Sequence, residues 1–286
     1  MGTSLPPGTD EGPRQWARQR FRRVTRHQDG AILEVVGEPG PHPRAAQGSG
    51  AAAADNRVAI VTGGNRGLGL ALVRALARRG MRVIMAARSL DRGRAALDLL
   101  GDLAGLVVVR QLDVTDQDSV ARLVWWLERQ LGRCDVLMNN AAVLIDDEHQ
   151  SQDVDLDVVR RTLETNLLGT WRLTQAIVPL MRRHHYGRIV NVSSGLGSLS
   201  SMGPGLPAYR VSQTAINALT RMLAHDLAVD GILVNACCPG APEVTVADSR
   251  DAVEFMPSAD TAVRLATLPD DGPTGGFFRD GTAIEW

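Results

Sequence analysis

The feature that most narrows the fold is a regular alternation that begins at Arg57. Short β-branched runs, VAIVT (58–62), RVIMAA (82–87), LVVVRQLDV (106–114), CDVLMN (134–139), GRIVNVSS (187–194) and ILVNACCPG (232–240), alternate with longer segments. In segments such as LGLALVRALARRG and SVARLVWWLERQLG the apolar residues recur at i, i+3, i+4 and i+7. The short runs suit buried strands and the longer ones amphipathic helices. Strands joined through helices at this spacing imply right-handed crossovers and therefore parallel neighbours. The expectation is an α/β fold built on one doubly wound parallel sheet of about seven strands, with helices on both faces.

Residues 1–55 differ in kind. They are rich in Pro, Gly, Arg and Ala and end in PHPRAAQGSGAAAAD, which reads as a disordered N-terminal extension and linker ahead of a single domain over 56–286. The basic stretch RQWARQRFRRVTRH, Arg14 to His27, is followed by no apolar signal-peptide core and reads as a solvated tail. A net charge of -1 gives no global sign of a nucleic-acid partner. No apolar run approaches the roughly 18 residues that a membrane-spanning helix needs, so no membrane partner is expected. Cys134, Cys237 and Cys238 have neither the even count of a disulfide framework nor metal-ligand spacing. Free thiols in a reducing cytoplasm, and no metal site, are the expected state.

The first strand runs into TGGNRGLG, Thr62 to Gly69, and then into a helix. Gly63, Gly67 and Gly69 permit a tight turn, close approach of backbone N–H groups to a pyrophosphate, and close helix packing. The N-terminal end of the helix dipole favours the phosphate charge. This Rossmann-type loop, with Asn65 and Leu68 inside it, marks a dinucleotide site. The second strand ends in AARS, Ala86 to Ser89, where an NAD enzyme usually carries an acidic residue for the adenosine ribose. Arg88 stands there instead, and with Arg66 it offers a guanidinium clamp for a 2′-phosphate, favouring NADP(H).

With LDV (Leu112 to Val114), NNAA (Asn139 to Ala142) and the tail GPTGGFFRDGTAIEW, the loop TGGNRGLG resembles the short-chain dehydrogenase/reductase family. The likeness is greatest to its carbonyl-reductase-like NADP members and covers about Arg57 to Trp286. By this resemblance Asp113 and Val114 meet the adenine and Asn140 the adenosine or nicotinamide side. Pro239 and Gly240, after the sixth strand, complete the cofactor set. The family transfers hydride between a nicotinamide and a carbonyl or alcohol using Asn, Ser, Tyr and Lys. Here ETNLLGT supplies Asn166, GRIVNVSSG supplies Ser194 and AYRVSQ supplies Tyr209.

The lysine position holds Gln213, four residues after Tyr209 and on the same helical face. All 31 basic residues are arginine, so no other lysine can stand in. An amide both donates and accepts, and can partly replace the lysine's hold on the nicotinamide ribose, where Tyr209 and Gln213 join the cofactor set. It cannot supply the charge. A unit charge ~5 Å away at an effective dielectric near 20 is worth roughly 3 kcal/mol, or about two pKa units on the tyrosine. Arg210 is rotated off that face. Reduction starts from neutral tyrosine, whereas alcohol oxidation needs tyrosinate, so the loss weighs on oxidation.

A second departure follows the sixth strand. The family's PG-x-V-x-T becomes CPGAPEVTV, with Pro242 and Val244 at the last two pattern positions and Thr245 one residue late. The segment ADSRDAVEFMPSAD (247–260) is expected to be the substrate lid. The reading is NADPH-dependent reduction of an aldehyde or ketone, with a small-molecule carbonyl as partner. Two rivals stay open: an NADP-binding regulatory protein with negligible turnover, and a non-redox acid/base enzyme on the same fold. The long apolar-faced helices of Asn166 and Tyr209 suggest a homodimer or homotetramer.

Overall fold

A computed structural model describes residues 56–239 and 258–286. Its sheet has eight strands in the order β3-β2-β1-β4-β5-β6-β7-β8. These are β1 (Val58–Thr62), β2 (Arg82–Ala87), β3 (Val107–Gln111), β4 (Val136–Asn139), β5 (Gly187–Val192), β6 (Ile232–Cys237), β7 (Phe277–Arg279) and β8 (Thr282–Ala283). Strands β1 to β7 are parallel, and β8 pairs antiparallel with β7. Every residue of β1 and of β6 is buried, as expected where helices cover both faces.

The helices are α1 (Gly67–Arg78), α2 (Leu90–Asp98), α3 (Gln117–Gln130), α4 (Leu156–Leu163), α5 (Thr170–Arg183), α6 (Pro207–Leu227) and α7 (Ser258–Ala266), with a π turn, Glu164–Gly169, joining α4 to α5. Their apolar stripes sort them between the two faces. Leu70 and Leu76 of α1 and Val263 of α7 pack on Met85 and Met138. On the other face Leu123 and Leu127 of α3, Leu173 and Ile177 of α5, and Leu219 of α6 meet Ile60, Leu137 and Ile189.

Sequence periodicity places the strands correctly but overruns their ends. The runs ending in LDV, VSS and CPG leave the sheet at Gln111, Val192 and Cys237, and Leu112–Val114, Ser193–Ser194 and Cys238–Pro239 stand in loops at the C-terminal edge. The eighth strand corrects the expected seven. Asp280 and Gly281 both have positive φ (49° and 74°), the geometry of a type I′ turn, which folds Thr282–Ala283 back on β7. Strand order reverses between β1 and β4, so a crevice opens at the C-terminal ends of the sheet, the usual ligand position in such folds. Residues 1–55, Gly240, the Pro242–Thr245 departure and lid residues 247–257 lie outside the described residues. Ser258–Asp260, expected to close the lid, instead open α7. No helix among the described residues is long and apolar enough to cross a membrane.

Candidate active site

The crevice is a cavity of about 730 Å3. Gly63, Asn65, Arg66, Gly67, Leu68 and Gly69 line one end of it. Gly63 and Gly67 have φ of 63° and 48°, backbone that side chains disfavour. A Cβ at Gly69 would lie 2.2 Å from the Gly63 carbonyl oxygen, so only glycine lets α1 start this close to β1. A Cβ at Gly67, one of the residues that line the cavity, would enter open space. The first turn of α1 carries no acidic residue, and Arg66 makes no side-chain cap. These features fit a pyrophosphate: bare N–H donors, room at the backbone and no competing anion.

The neighbouring β4 loop is tied to this turn. Thr62 Oγ1 accepts the N–H groups of Asn140 and Ala141, both at 2.9 Å, and Asn140 Nδ2 donates to the Thr62 carbonyl at 2.8 Å. Asn140 thereby braces the loop while bordering the cavity. Arg66 and Arg88 are exposed at its rim, joined by Arg92, a third cation that the sequence reading did not single out. Arg92 lies one helical turn past Ser89 and is invisible to a reading centred on strand ends.

Asp113 and Val114 border the cavity beyond β3. Burial pushes the Asp113 carboxyl up, but hydrogen bonds from Thr115 and the charges of Arg88 and Arg172 outweigh it, and the group sits below the usual range. Val114 presses on Gly169, where a Cβ would come within 2.6 Å of its side chain.

At the other end, Ser194 and Tyr209 line the wall with Leu196, Leu206 and Pro239. The Ser194 and Gln213 side chains both flank the Tyr209 phenol and act to lower its pKa. Gln213 Nε2 donates to its hydroxyl at 3.4 Å. The glutamine is 2% exposed and lies behind the tyrosine rather than on the cavity wall. Burial is the largest influence on the phenol and raises its pKa, and the neighbouring Ser194 and Gln213 side chains pull it back only in part. Arg210 does not help. Its guanidinium donates to the carbonyls of Gly205, Leu196 and Pro204.

Asn166 is also buried, within the π turn, a feature frequent at functional sites. Its Oδ1 accepts the Val143 N–H at 2.8 Å, and its Nδ2 donates to the Val143 carbonyl at 2.9 Å and to Ser212 Oγ at 3.0 Å. It joins the loop after β4 to the tyrosine's helix. Asp146 does similar work and escaped the sequence reading. Fully buried, it accepts the N–H groups of Ala208 and Tyr209 at 2.7 and 3.2 Å, capping α6 from another part of the chain. One signal was available: Pro207 opens the helix after Leu206, which has no capping side chain, so the orphan N–H groups need an acceptor from elsewhere.

Comparison with known proteins places this geometry. Residues 57–253 match the family model described as short chain dehydrogenase. Carbonyl reductase (NADPH) 3 of Mus musculus is 32% identical over 278 residues, covering 81% of this chain and 99% of the relative. Carbonyl reductase (NADPH) 1 of Sus scrofa is 31% identical over 279 residues, covering 81% and 95%. The solved menthone neomenthol reductase of Mentha piperita superposes with a TM-score of 0.65 at 29% identity, over 79% of this chain and 99% of that one. The glycine cradle, the reversal of strand order and the serine–tyrosine wall are thus found in a chain that belongs to the short-chain dehydrogenase family.

Proposed function

We propose that the chain is an NADPH-dependent carbonyl reductase in which Tyr209 donates the proton. The observation that carries this reading is the paired Ser194 and Tyr209 hydroxyls on the wall of the same cavity that holds the glycine cradle and the arginine rim. The NADPH named in the mammalian relatives agrees with that rim. Gly63, Gly67 and Gly69 would bind the pyrophosphate, and Arg66 and Arg88, with Arg92 beside them, the 2′-phosphate. Bound NADPH supplies the hydride.

As charge grows on the carbonyl oxygen, Ser194 donates a hydrogen bond to it and Tyr209 transfers its proton. Gln213 Nε2 donates to the phenol oxygen and so stabilises the phenolate that forms, by a dipole where the family uses a charge. Asp146 holds the first N–H groups of α6 and Asn166 holds its Ser212 side chain, so that the phenol keeps its place. A pKa above the ordinary phenol value leaves Tyr209 protonated at neutral pH, the form that reduction consumes. The glutamine at the lysine position, which brings no charge to the phenol, favours as a second reading a cofactor-binding protein with negligible turnover.

NADPH is expected to bind on the order of 10- to 100-fold more tightly than NADH, the worth of a charge-assisted pair at the 2′-phosphate. Arg88→Ala should remove most of that preference. Titration of both cofactors by fluorescence checks it, and equal affinities in the wild type would sink the assignment.

Exposed apolar side chains support assembly. Val211 and Met222 are exposed about three turns apart on one side of α6, and exposed Leu168 stands on the π turn packed against that helix. Pairing of two copies across this face buries all three in a homodimer or homotetramer. Light scattering at micromolar concentration is expected to report more than the monomer mass, and monomer alone overturns it.

A further inference from the structure

Three N–H groups converge on one buried sulfur beside the serine of the site. The β6–β7 register pairs Cys237 with Phe278, so Cys238 and Arg279 stand side by side just beyond. The Cys238 N–H donates to the Phe278 carbonyl at 2.8 Å. Arg279 donates to Cys238 Sγ through Nε at 3.3 Å and Nη2 at 3.2 Å. The Gly195 N–H donates to the same sulfur at 3.2 Å. Cys238 is 2% exposed, so water does not compete for these bonds.

The contact depends on glycine at 195. A Cβ there would lie 2.0 Å from Arg279 Nη2, which shows how tightly the guanidinium seats against the loop. Further along the same loop the Ser200 N–H donates to the Trp286 carbonyl at 3.2 Å, and Ser198 Oγ donates to the Glu285 carbonyl at 3.2 Å. The segment after Ser194 is therefore attached at its start to Cys238, which Arg279 holds from β7, and near its end to the C-terminal arm. Sulfur is a weak acceptor, and a single N–H on it would hold little. Two donors from one rigid guanidinium and a third from the loop fix the direction of the Gly195 peptide. That peptide carries the Ser194 carbonyl carbon, and Ser194 lines the cavity wall beside the Tyr209 phenol.

We propose that Arg279 and Cys238 are positioning residues that hold the Ser194 loop in register with Tyr209, a role that rests on the carbonyl-reductase reading above. They touch neither the substrate nor the reacting atoms and act through Ser194. Losing the guanidinium frees the loop to shift by a fraction of its length while the sheet and the glycine cradle stay intact.

The test combines kinetics with hydrogen exchange on the full chain. Arg279→Ala should lower kcat by on the order of 10- to 100-fold, the usual effect of a small misplacement at a reacting centre. KM for NADPH should stay within about twofold, because the cradle is untouched. Arg279→Lys, which keeps the charge without the two-pronged fork, should fall between, and Cys238→Ser, which keeps an acceptor, should lose less than Cys238→Ala. In a Ser194→Ala background Arg279→Ala should add almost no further loss, because both changes break one unit. Backbone amides of 195–201 should exchange faster in Arg279→Ala while those of β4 and β5 keep their rates. Additive losses in the double variant, unchanged exchange at 195–201, or acceleration spread evenly through the core each overturn the role. A wild type that consumes no NADPH with any carbonyl defeats the functional reading instead, and the exchange experiment then still decides whether the clasp holds the loop.

Discussion

Tyr209→Phe should lower carbonyl reduction by about 10²- to 10⁴-fold, the range over which a positioned general acid contributes. The ring that packs in the wall is retained, and only the hydroxyl that meets Ser194 and Gln213 is removed. NADPH binding is expected to persist, since the cradle lies at the other end of the cavity. The wild-type pH profile carries the same signature. Tyr209 acts as an acid in its neutral form, and its raised pKa extends that form to higher pH. Reduction should therefore stay level from neutral into mildly alkaline conditions and fall only above the ordinary phenol value of about 10. A decline centred near neutrality would mean that another group delivers the proton.

Gln213→Lys should separate the two directions of the reaction. An ammonium within reach of the phenol lowers the tyrosine by about two pKa units, which raises the tyrosinate fraction at neutral pH by about 100-fold. Alcohol oxidation, which begins from tyrosinate, should gain by a similar factor. Reduction should change far less and should begin to fall at a lower pH than in the wild type. The overall equilibrium constant is the same for both proteins, so the comparison uses kcat at saturating cofactor, where the limiting steps of the two directions differ. The buried position opposes the charge, since 2% exposure makes an ammonium costly there. A gain well short of the full factor would measure that cost. Equal effects on both directions, with no movement of the pH profile, would mean that position 213 does not act through the phenol.

Much of this site could be read from the chain because its parts are local. TGGNRGLG holds its own turn and helix start within eight consecutive residues, and AARS ends a strand whose period is plain. Tyr209 and Gln213 declare their shared face through helical spacing alone. What escaped is non-local or conformational. Asp146 caps a helix whose first residues lie more than sixty positions away, and nothing in NNAAVLID announces that partner. Arg279 and Cys238 meet only because β7 pairs with β6, a register that the sequence does not display. The π turn around Asn166 has the apolar spacing of an ordinary helix. The β7–β8 hairpin is a different kind of miss: Asp280-Gly281 is a strong local turn signal, passed over because the strands beside it are three and two residues long. Gln213 Nε2 donates to the Tyr209 hydroxyl, so in the proposed reaction it supports the phenol.

The most direct measurement follows NADPH absorbance at neutral pH against a panel of aldehydes, ketones and quinones, with wild type and Tyr209→Phe side by side. A carbonyl reductase that uses this tyrosine consumes NADPH and forms alcohol in equal amounts with at least one member of the panel, and loses nearly all of that turnover in Tyr209→Phe. NADPH that binds without being consumed across the panel, or consumption that survives Tyr209→Phe undiminished, would contradict it.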